Sequence, residues 1–114
     1  MKKFEHMALI GCGLMGGSFA LAVKRAGLVK RIVGYSKSPS TTSRARQMGA
    51  IDEEASSALI AVSGADLVIL AIPVASTEPT LRTIKHLIQP STLVMDVGST
   101  KVDVVNAARG ALKD

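Results

Sequence analysis

A glycine-rich run near the start of the chain, Gly11-Cys12-Gly13-Leu14-Met15-Gly16-Gly17, separates a short apolar segment from a stretch with helical periodicity. Few local patterns restrict a fold as strongly. The preceding Met7-Ala8-Leu9-Ile10 is continuously apolar rather than alternating, which suits a strand buried on both faces of a parallel sheet. From Leu14 to Ala26, Phe19, Ala22, Val23 and Ala26 recur at helical spacing, and Gly27 is placed to stop the helix. Strand, G-x-G-x-x-G turn and helix together form the opening of a dinucleotide-binding unit. There Gly11 permits the turn out of the strand, Gly13 lets a pyrophosphate approach the backbone, and Gly16 lets the helix pack on the strand. The unpaired N–H groups and partial positive charge of the helix start attract that pyrophosphate. Gly11, Cys12, Gly13, Leu14, Met15 and Gly16 are therefore candidate cofactor-binding residues.

The alternation continues along the chain. Arg31 to Tyr35 reads as a second strand, Thr41 to Met48 as a polar helix opened by Pro39-Ser40, and Ala50-Ile51 as a weak third strand. Glu53 to Val62 suits a short helix. Leu67 to Ile72 is the strongest strand, stopped by Pro73, and Glu78 to Ile88 places Leu81, Ile84, Leu87 and Ile88 on one helix face. Leu93 to Val97 is a fifth strand and Lys101 to Leu112 a last helix. Strands and helices joined by short loops imply an α/β fold with a doubly wound parallel sheet of the Rossmann type. The expected strand order is 3-2-1-4-5, with a sixth strand missing and the whole of residues 1–114 forming one dinucleotide-binding domain. The outer edge of the fifth strand is then open to self-association, so a homo-oligomer is an expected partner state.

Composition narrows the function classes. One cysteine excludes an internal disulfide framework, and with two scattered histidines it gives no zinc module, so no metal site is expected. The start, Met1-Lys2-Lys3-Phe4-Glu5-His6, lacks the apolar core of a signal peptide. Ser57 to Ala75, the most apolar stretch, is broken by Ser63-Gly64, Asp66 and Pro73, which argues against a membrane span. The expected location is the cytoplasm. Residues 1–50 carry nine basic side chains and one acid (+8), whereas residues 51–114 carry five basic and eight acidic ones (−3). A basic half can serve a polyanion. Lys24, Arg25, Lys30 and Arg31 are, however, placed as a solvated helix end, and no aromatic platform accompanies them, so no nucleic-acid partner is expected. Cys12 is read as serving through its backbone, and His6 and His86 as surface or packing residues.

The end of the second strand selects the cofactor. An acid there would hold the adenosine ribose 2′-hydroxyl and repel a 2′-phosphate. This chain has Tyr35-Ser36-Lys37-Ser38 instead, so Ser36 and Ser38 offer uncharged donors and Lys37 a cation, a set that suits NADP over NAD. Arg44 could add a second cation. Two later loops should close over the nicotinamide half beyond the carboxyl ends of the strands: Ile72-Pro73-Val74, and Val97-Gly98-Ser99-Thr100-Lys101. Pro73 also reads as a strand stop and Ser99 as a helix N-cap.

Taken together, Gly11 to Ser18, Gly49-Ala50-Ile51-Asp52, Ala65 to Pro73 and Asp96-Val97-Gly98-Ser99-Thr100-Lys101 resemble the N-terminal part of the prephenate/arogenate dehydrogenase family of tyrosine biosynthesis. The resemblance covers almost the whole chain, and the Asp-Val-Gly-Ser-x-Lys segment is its most discriminating piece. It implies an NAD(P)-dependent oxidoreductase acting by oxidative decarboxylation: hydride leaves the ring carbon bearing the 4-hydroxyl, and carbon dioxide departs as the ring aromatises. It also implies that Ser99 lies beside the substrate hydroxyl as a catalytic residue, paired with a histidine of a His-Pro-x-Ala-Gly segment. Gly98 joins the cofactor-binding set. No such histidine segment precedes Asp114, and hydride removal from a hydroxyl carbon needs a proton acceptor. The expectation is thus a cofactor-binding fragment, inactive alone, without the helical substrate and dimerisation domain. The small-molecule substrate, prephenate or arogenate, belongs to the full-length protein. A stand-alone nucleotide-sensing module and a β-hydroxyacid-type dehydrogenase domain remain alternatives, because fold alone does not assign function.

Overall fold

A computed structural model describes residues 4–96 of the chain. Five parallel strands form one sheet in the order β3-β2-β1-β4-β5. They are β1 (Phe4–Ile10), β2 (Val29–Tyr35), β3 (Glu53–Glu54), β4 (Leu67–Leu70) and β5 (Leu93–Asp96). The helices are α1 (Leu14–Arg25), α2 (Pro39–Gln47), α3 (Ala58–Val62) and α4 (Val74–Ile84), the last followed by a 3₁₀ turn over Lys85–Leu87. This is the doubly wound fold expected from the alternation. Val97 and the helix expected over residues 101–112 lie outside the described residues.

The central strand β1 explains the arrangement. Its Met7 to Ile10 are buried on both faces, with Met7 and Leu9 in one core layer and Ala8 and Ile10 in the other. Met7 and Leu9 pack with Ala20 and Val23 of α1 and with Ile32, Ile51 and Ile69. Ala8 and Ile10 pack with Ala61 and Val62 of α3 and with Leu81 and Ile84 of α4. A residue from either layer is fully desolvated, so truncating a Leu or Ile here costs about 2–5 kcal/mol.

Several boundaries differ from the expected ones. On α1 Gly16, Gly17, Ala20 and Val23 are buried, while Ala22 and Ala26 face solvent. β3 is not Ala50-Ile51 but Glu53–Glu54, paired with Val33 and Gly34. Ala50 and Ile51 turn into the core, and Asp52 begins the pairing with its own atoms: its N–H donates to the Ile32 carbonyl at 2.8 Å and its carboxylate accepts the Ile32 N–H at 2.8 Å. The helix expected from Glu53 consequently shortens to α3, whose start is capped by Ser57 Oγ accepting the Ile60 N–H. α4 starts directly after Pro73 and contains Pro79, so it lies earlier than the expected Glu78 to Ile88. β1 and β2 each begin earlier than expected, and β4 ends at Leu70.

His6 lies within β1 rather than before it, and it is buried at the end of the sheet remote from the glycine turn. Its Nε2–H donates to the Ala61 carbonyl at 3.1 Å, and Arg31 Nη2 lies 3.4 Å from Nδ1. Since a guanidinium only donates, Nδ1 must be the acceptor and the ring neutral. Burial first, and the Arg31 charge second, hold the imidazole below its ordinary 6.5, against smaller opposing effects of the Ala61 carbonyl, Asp66 and Glu53. A lowered folded-state pKa means the unfolded chain binds the proton first, so stability drops as pH falls below about 6.5. Burial works against ionised Asp66 and Asp52, but N–H donors to both, and Lys24 on Asp52, pull these carboxyls below 3.8, so their loss comes at lower pH. The midpoint of thermal unfolding should therefore decline as pH falls below about 6.5. His6→Gln, which stays uncharged, should flatten that decline; an unchanged slope would contradict this account.

Candidate functional site

Three backbone segments converge at the carboxyl end of β1. Gly11, with φ +95°, turns the chain out of the strand, and its N–H donates to the Tyr35 carbonyl at 2.7 Å. A Cβ on Gly11 would stand 2.3 Å from the Ala71 carbonyl oxygen, and one on Gly16 would stand 2.2 Å from the Gly11 carbonyl oxygen. No side chain fits at either position. By contrast a Cβ on Gly13 would meet no atom within 4 Å, so the space over the middle glycine is open.

Gly13 is also the N-cap of α1, with no side chain capping the helix and no acid in its first turn. The helix N–H groups that face this space have no protein partner of that kind and suit an anion. Leu14 and Met15 form the first turn. The Cys12 backbone N–H donates to Ser36 Oγ at 2.9 Å, which ties the glycine turn to the end of β2. Its thiol is buried beneath β2, near the Tyr35 carbonyl at 3.7 Å. Gly34 makes room there, because a Cβ on it would lie 2.8 Å from both Cys12 Sγ and Ile51 Cδ1. Burial pushes the thiol above its ordinary value, against a smaller opposing effect of Ser36, so it is not the activated thiolate of a redox site.

One cavity of about 440 Å³ brings most of the expected residues together. Gly11, Cys12 and Gly13 form its floor, Ser36, Lys37 and Ser38 one wall, and Ile72 and Pro73 another. Gly16 lies beneath, packed on Gly11, and Val74 opens α4 beside Pro73. Ser76, Thr80 and Thr83 from α4 and Thr41 from α2 also line the cavity and were not expected. Ser76, Thr80 and Thr83 are four and three residues apart, a single hydroxyl-bearing helix face that the apolar pattern of the helix does not single out. Gly98 and Ser99 lie outside the described residues. Among the described residues no acid lines this cavity; Glu54, which borders an adjoining one with Ser36 and Lys37, has Arg46 at 3.8 Å. Among the described residues no group of His, Cys, Asp and Glu is placed to hold a metal, and no helix is long and apolar enough to cross a membrane.

A glycine turn against a helix N-terminus, at the point where the order of a parallel sheet reverses, defines a dinucleotide-binding domain of the doubly wound class. The particular family follows from comparison with known proteins. The chain belongs to the family described as prephenate dehydrogenase, nucleotide-binding domain, whose model matches residues 19–114. The glycine turn precedes that match but is included in longer ones. A prephenate dehydrogenase of Bacillus subtilis is 43% identical over 105 residues, covering 91% of this chain and 28% of the relative. A cyclohexadienyl dehydrogenase of Zymomonas mobilis is 32% identical over 112 residues, covering 98% of this chain and 38% of the relative. The crystal structure of prephenate dehydrogenase from Aquifex aeolicus with hydroxyphenyl propionate and NAD+ superposes with a TM-score of 0.82 at 31% identity, over 98% of this chain and 38% of that one. The chain thus spans between 28% and 38% of the length of these relatives.

The three glycines should separate cleanly by substitution. Gly16→Ala forces a Cβ into the Gly11 carbonyl and should cost about 1–3 kcal/mol, read as a lowered unfolding midpoint. Gly13→Ala should change stability by less than about 1 kcal/mol, because its Cβ meets no protein atom. It should nonetheless weaken dinucleotide binding, measured by calorimetric titration. Equal stability losses for the two variants would refute the assignment.

Proposed function

We propose that this chain is the NADP-binding part of an oxidoreductase that converts prephenate or arogenate by oxidative decarboxylation. The observation that carries the cofactor choice is the wall formed by Ser36, Lys37 and Ser38, which bears no carboxylate at the end of β2. An acid there would repel a 2′-phosphate, whereas hydroxyl donors and an ammonium attract one. Ser36 has a double use. Its oxygen accepts the Cys12 N–H, and its O–H remains to donate into the cleft. Membership of the prephenate dehydrogenase family supports the reaction type, and the relative solved with NAD+ shows that the family accommodates a nicotinamide dinucleotide.

When bound, the nicotinamide supplies the hydride acceptor. The chain's own share is to orient that group. The backbone of Gly11 to Gly13 and the start of α1 hold the pyrophosphate, the Ser36-Lys37-Ser38 wall holds the adenosine ribose, and Ile72-Pro73 bounds the cleft on the far side. Ser99 and Gly98 complete the proposal, with Ser99 beside the substrate hydroxyl and Gly98 beside the cofactor. Proton removal from the substrate hydroxyl needs a base. Among the described residues no imidazole or carboxylate lines the cleft: His6 is bonded to Ala61 at the remote end of the sheet, and His86 lies exposed on the 3₁₀ turn after α4. In this proposal the base lies outside residues 4–96, and so do the residues that distinguish prephenate from arogenate.

Titration of the chain with NADPH and NADH should give at least about tenfold tighter binding of NADPH, a difference of ~1.4 kcal/mol. Equal affinities, or none, would remove the cofactor assignment. Ser36→Asp keeps an acceptor for the Cys12 N–H and adds a charge against the 2′-phosphate, so it should reverse the preference toward NADH without lowering the unfolding midpoint. Mixing the chain with NADP and either prephenate or arogenate should yield no reduced nicotinamide absorbance. Measurable turnover would show that the base lies within the chain.

A further inference from the structure

Nine lysines and arginines fall among the described residues, and five of them hold a carboxylate. Lys24 holds Asp52, Lys30 Glu5, Arg31 Glu53, Arg46 Glu54 and Arg82 Glu78. Arg25, Lys37, Arg44 and Lys85 hold none. Two of these four, Lys37 and Arg44, line adjoining cavities. Lys37 lines the cleft itself, and Arg44 lines a second cavity of about 370 Å³ between α1 and α2. The two cavities meet at Cys12, Gly13 and Thr41, which line both.

Helix geometry places Arg44 on this side. Residues two apart on a helix point ~200° from one another. Arg46 is committed to Glu54 on β3, so Arg44 projects the opposite way, toward α1 and the glycine turn. It shares that face with Thr41, Ala45 and Met48, at helical spacings of three, one and four residues. The same helix begins directly after Ser36-Lys37-Ser38, so Lys37 and Arg44 flank Thr41 from its two sides. Lys37 and Arg44 line cavities that share Thr41, and no carboxylate is among the described lining residues of either. A phosphate monoester carries close to two negative charges and several acceptor oxygens, which a guanidinium fork and an ammonium can share.

Resting on the NADP reading above, we infer that Arg44 is a specificity-determining residue, which holds the 2′-phosphate of the adenosine ribose jointly with Lys37. The competing source of the same chemistry is the cofactor pyrophosphate over Gly13. That source is common to NADP and NAD, whereas the 2′-phosphate belongs to NADP alone, so ligand pairs separate the two.

The test is calorimetric titration of the chain and of its Arg44→Gln and Arg44→Lys variants with NADPH, NADH, adenosine 2′,5′-bisphosphate and ADP. Arg44 is exposed and has no ion pair, so both variants should unfold at the wild-type midpoint. Arg44→Gln should weaken NADPH and the 2′,5′-bisphosphate about tenfold and change NADH and ADP less than about twofold. Arg44→Lys should recover part of the loss, because it restores charge without the fork. Equal weakening of NADPH and NADH would move the guanidinium to the pyrophosphate and overturn the inference; an unchanged NADPH-to-NADH ratio would overturn it as well. A wild-type chain that prefers NADPH, with Arg44→Gln retaining that preference, refutes Arg44 alone. A wild-type chain without preference refutes the NADP reading itself.

Discussion

The whole site depends on a contact that contains no side chain. The Gly11 carbonyl receives Gly16, and the Ala71 carbonyl receives Gly11, each closer than any Cβ allows. Three elements are thereby pressed together: the end of β1, the first turn of α1 and the exit from β4. Because α1 sits so low on the strand, its N-terminus opens at the sheet's carboxyl edge rather than above it. The anion-attracting end of the helix and the mouth of the cleft become one place. A fold with larger residues at these positions would still bury Met7, Leu9 and Ile69, but its helix would be lifted and the cleft floor lost.

A second tie keeps the cleft from spreading. β1 and β2 are hydrogen-bonded along their length, yet beyond Ile10 and Tyr35 the chains must diverge, one into α1 and the other toward α2. The Cys12 N–H on Ser36 Oγ bridges this divergence, and the Cys12 side chain anchors it from below in the space left by Gly34. In the proposed NADP reading, Ser36 acts on stability and on ligand choice through the same hydroxyl. An acid at position 36 could preserve the first role and reverse the second. Cofactor preference can accordingly change in this scaffold without disturbing the turn that both dinucleotides require.

What could be read from the chain before its structure follows from burial. Met7 to Ile10, Ile32-Val33 and Leu67 to Leu70 are apolar or β-branched runs, and their burial in the sheet makes them visible as such. The glycine turn was equally legible, since close backbone approach leaves a spacing signature. β3 was not. It consists of two glutamates at the sheet edge, both exposed, and its place is set by the Asp52 carboxylate on the Ile32 N–H rather than by apolar pattern. The displaced start of α4 has a related cause: Pro79 reads as a helix boundary, yet Pro73 already provides one and Thr77 and Leu81 are buried on the face between. The hydroxyls of Ser76, Thr80 and Thr83 escaped because small polar residues on a helix carry no sign of which neighbour they face. Only the tertiary position of α4 beside the glycine turn gives them meaning.

The uneven charge of the chain has a similar resolution. The basic excess of residues 1–50 looks, as a sum, like an invitation to a polyanion. In the folded domain much of it is answered locally, because the consecutive acids Asp52, Glu53 and Glu54 lie along the β3 edge and meet Lys24, Arg31 and Arg46 in turn. These are partly or largely exposed pairs, each contributing little to stability. Their larger effect is to neutralise charge away from the cleft. Lys37 and Arg44 stand out as a consequence, since the acids that would have silenced them are engaged elsewhere. A small anionic ligand at the cleft mouth then meets concentrated positive charge, where a long polyanion lying across β2 and β3 would meet compensated pairs. In the proposed reading, fold and charge thus favour the same kind of ligand at the same edge of the sheet.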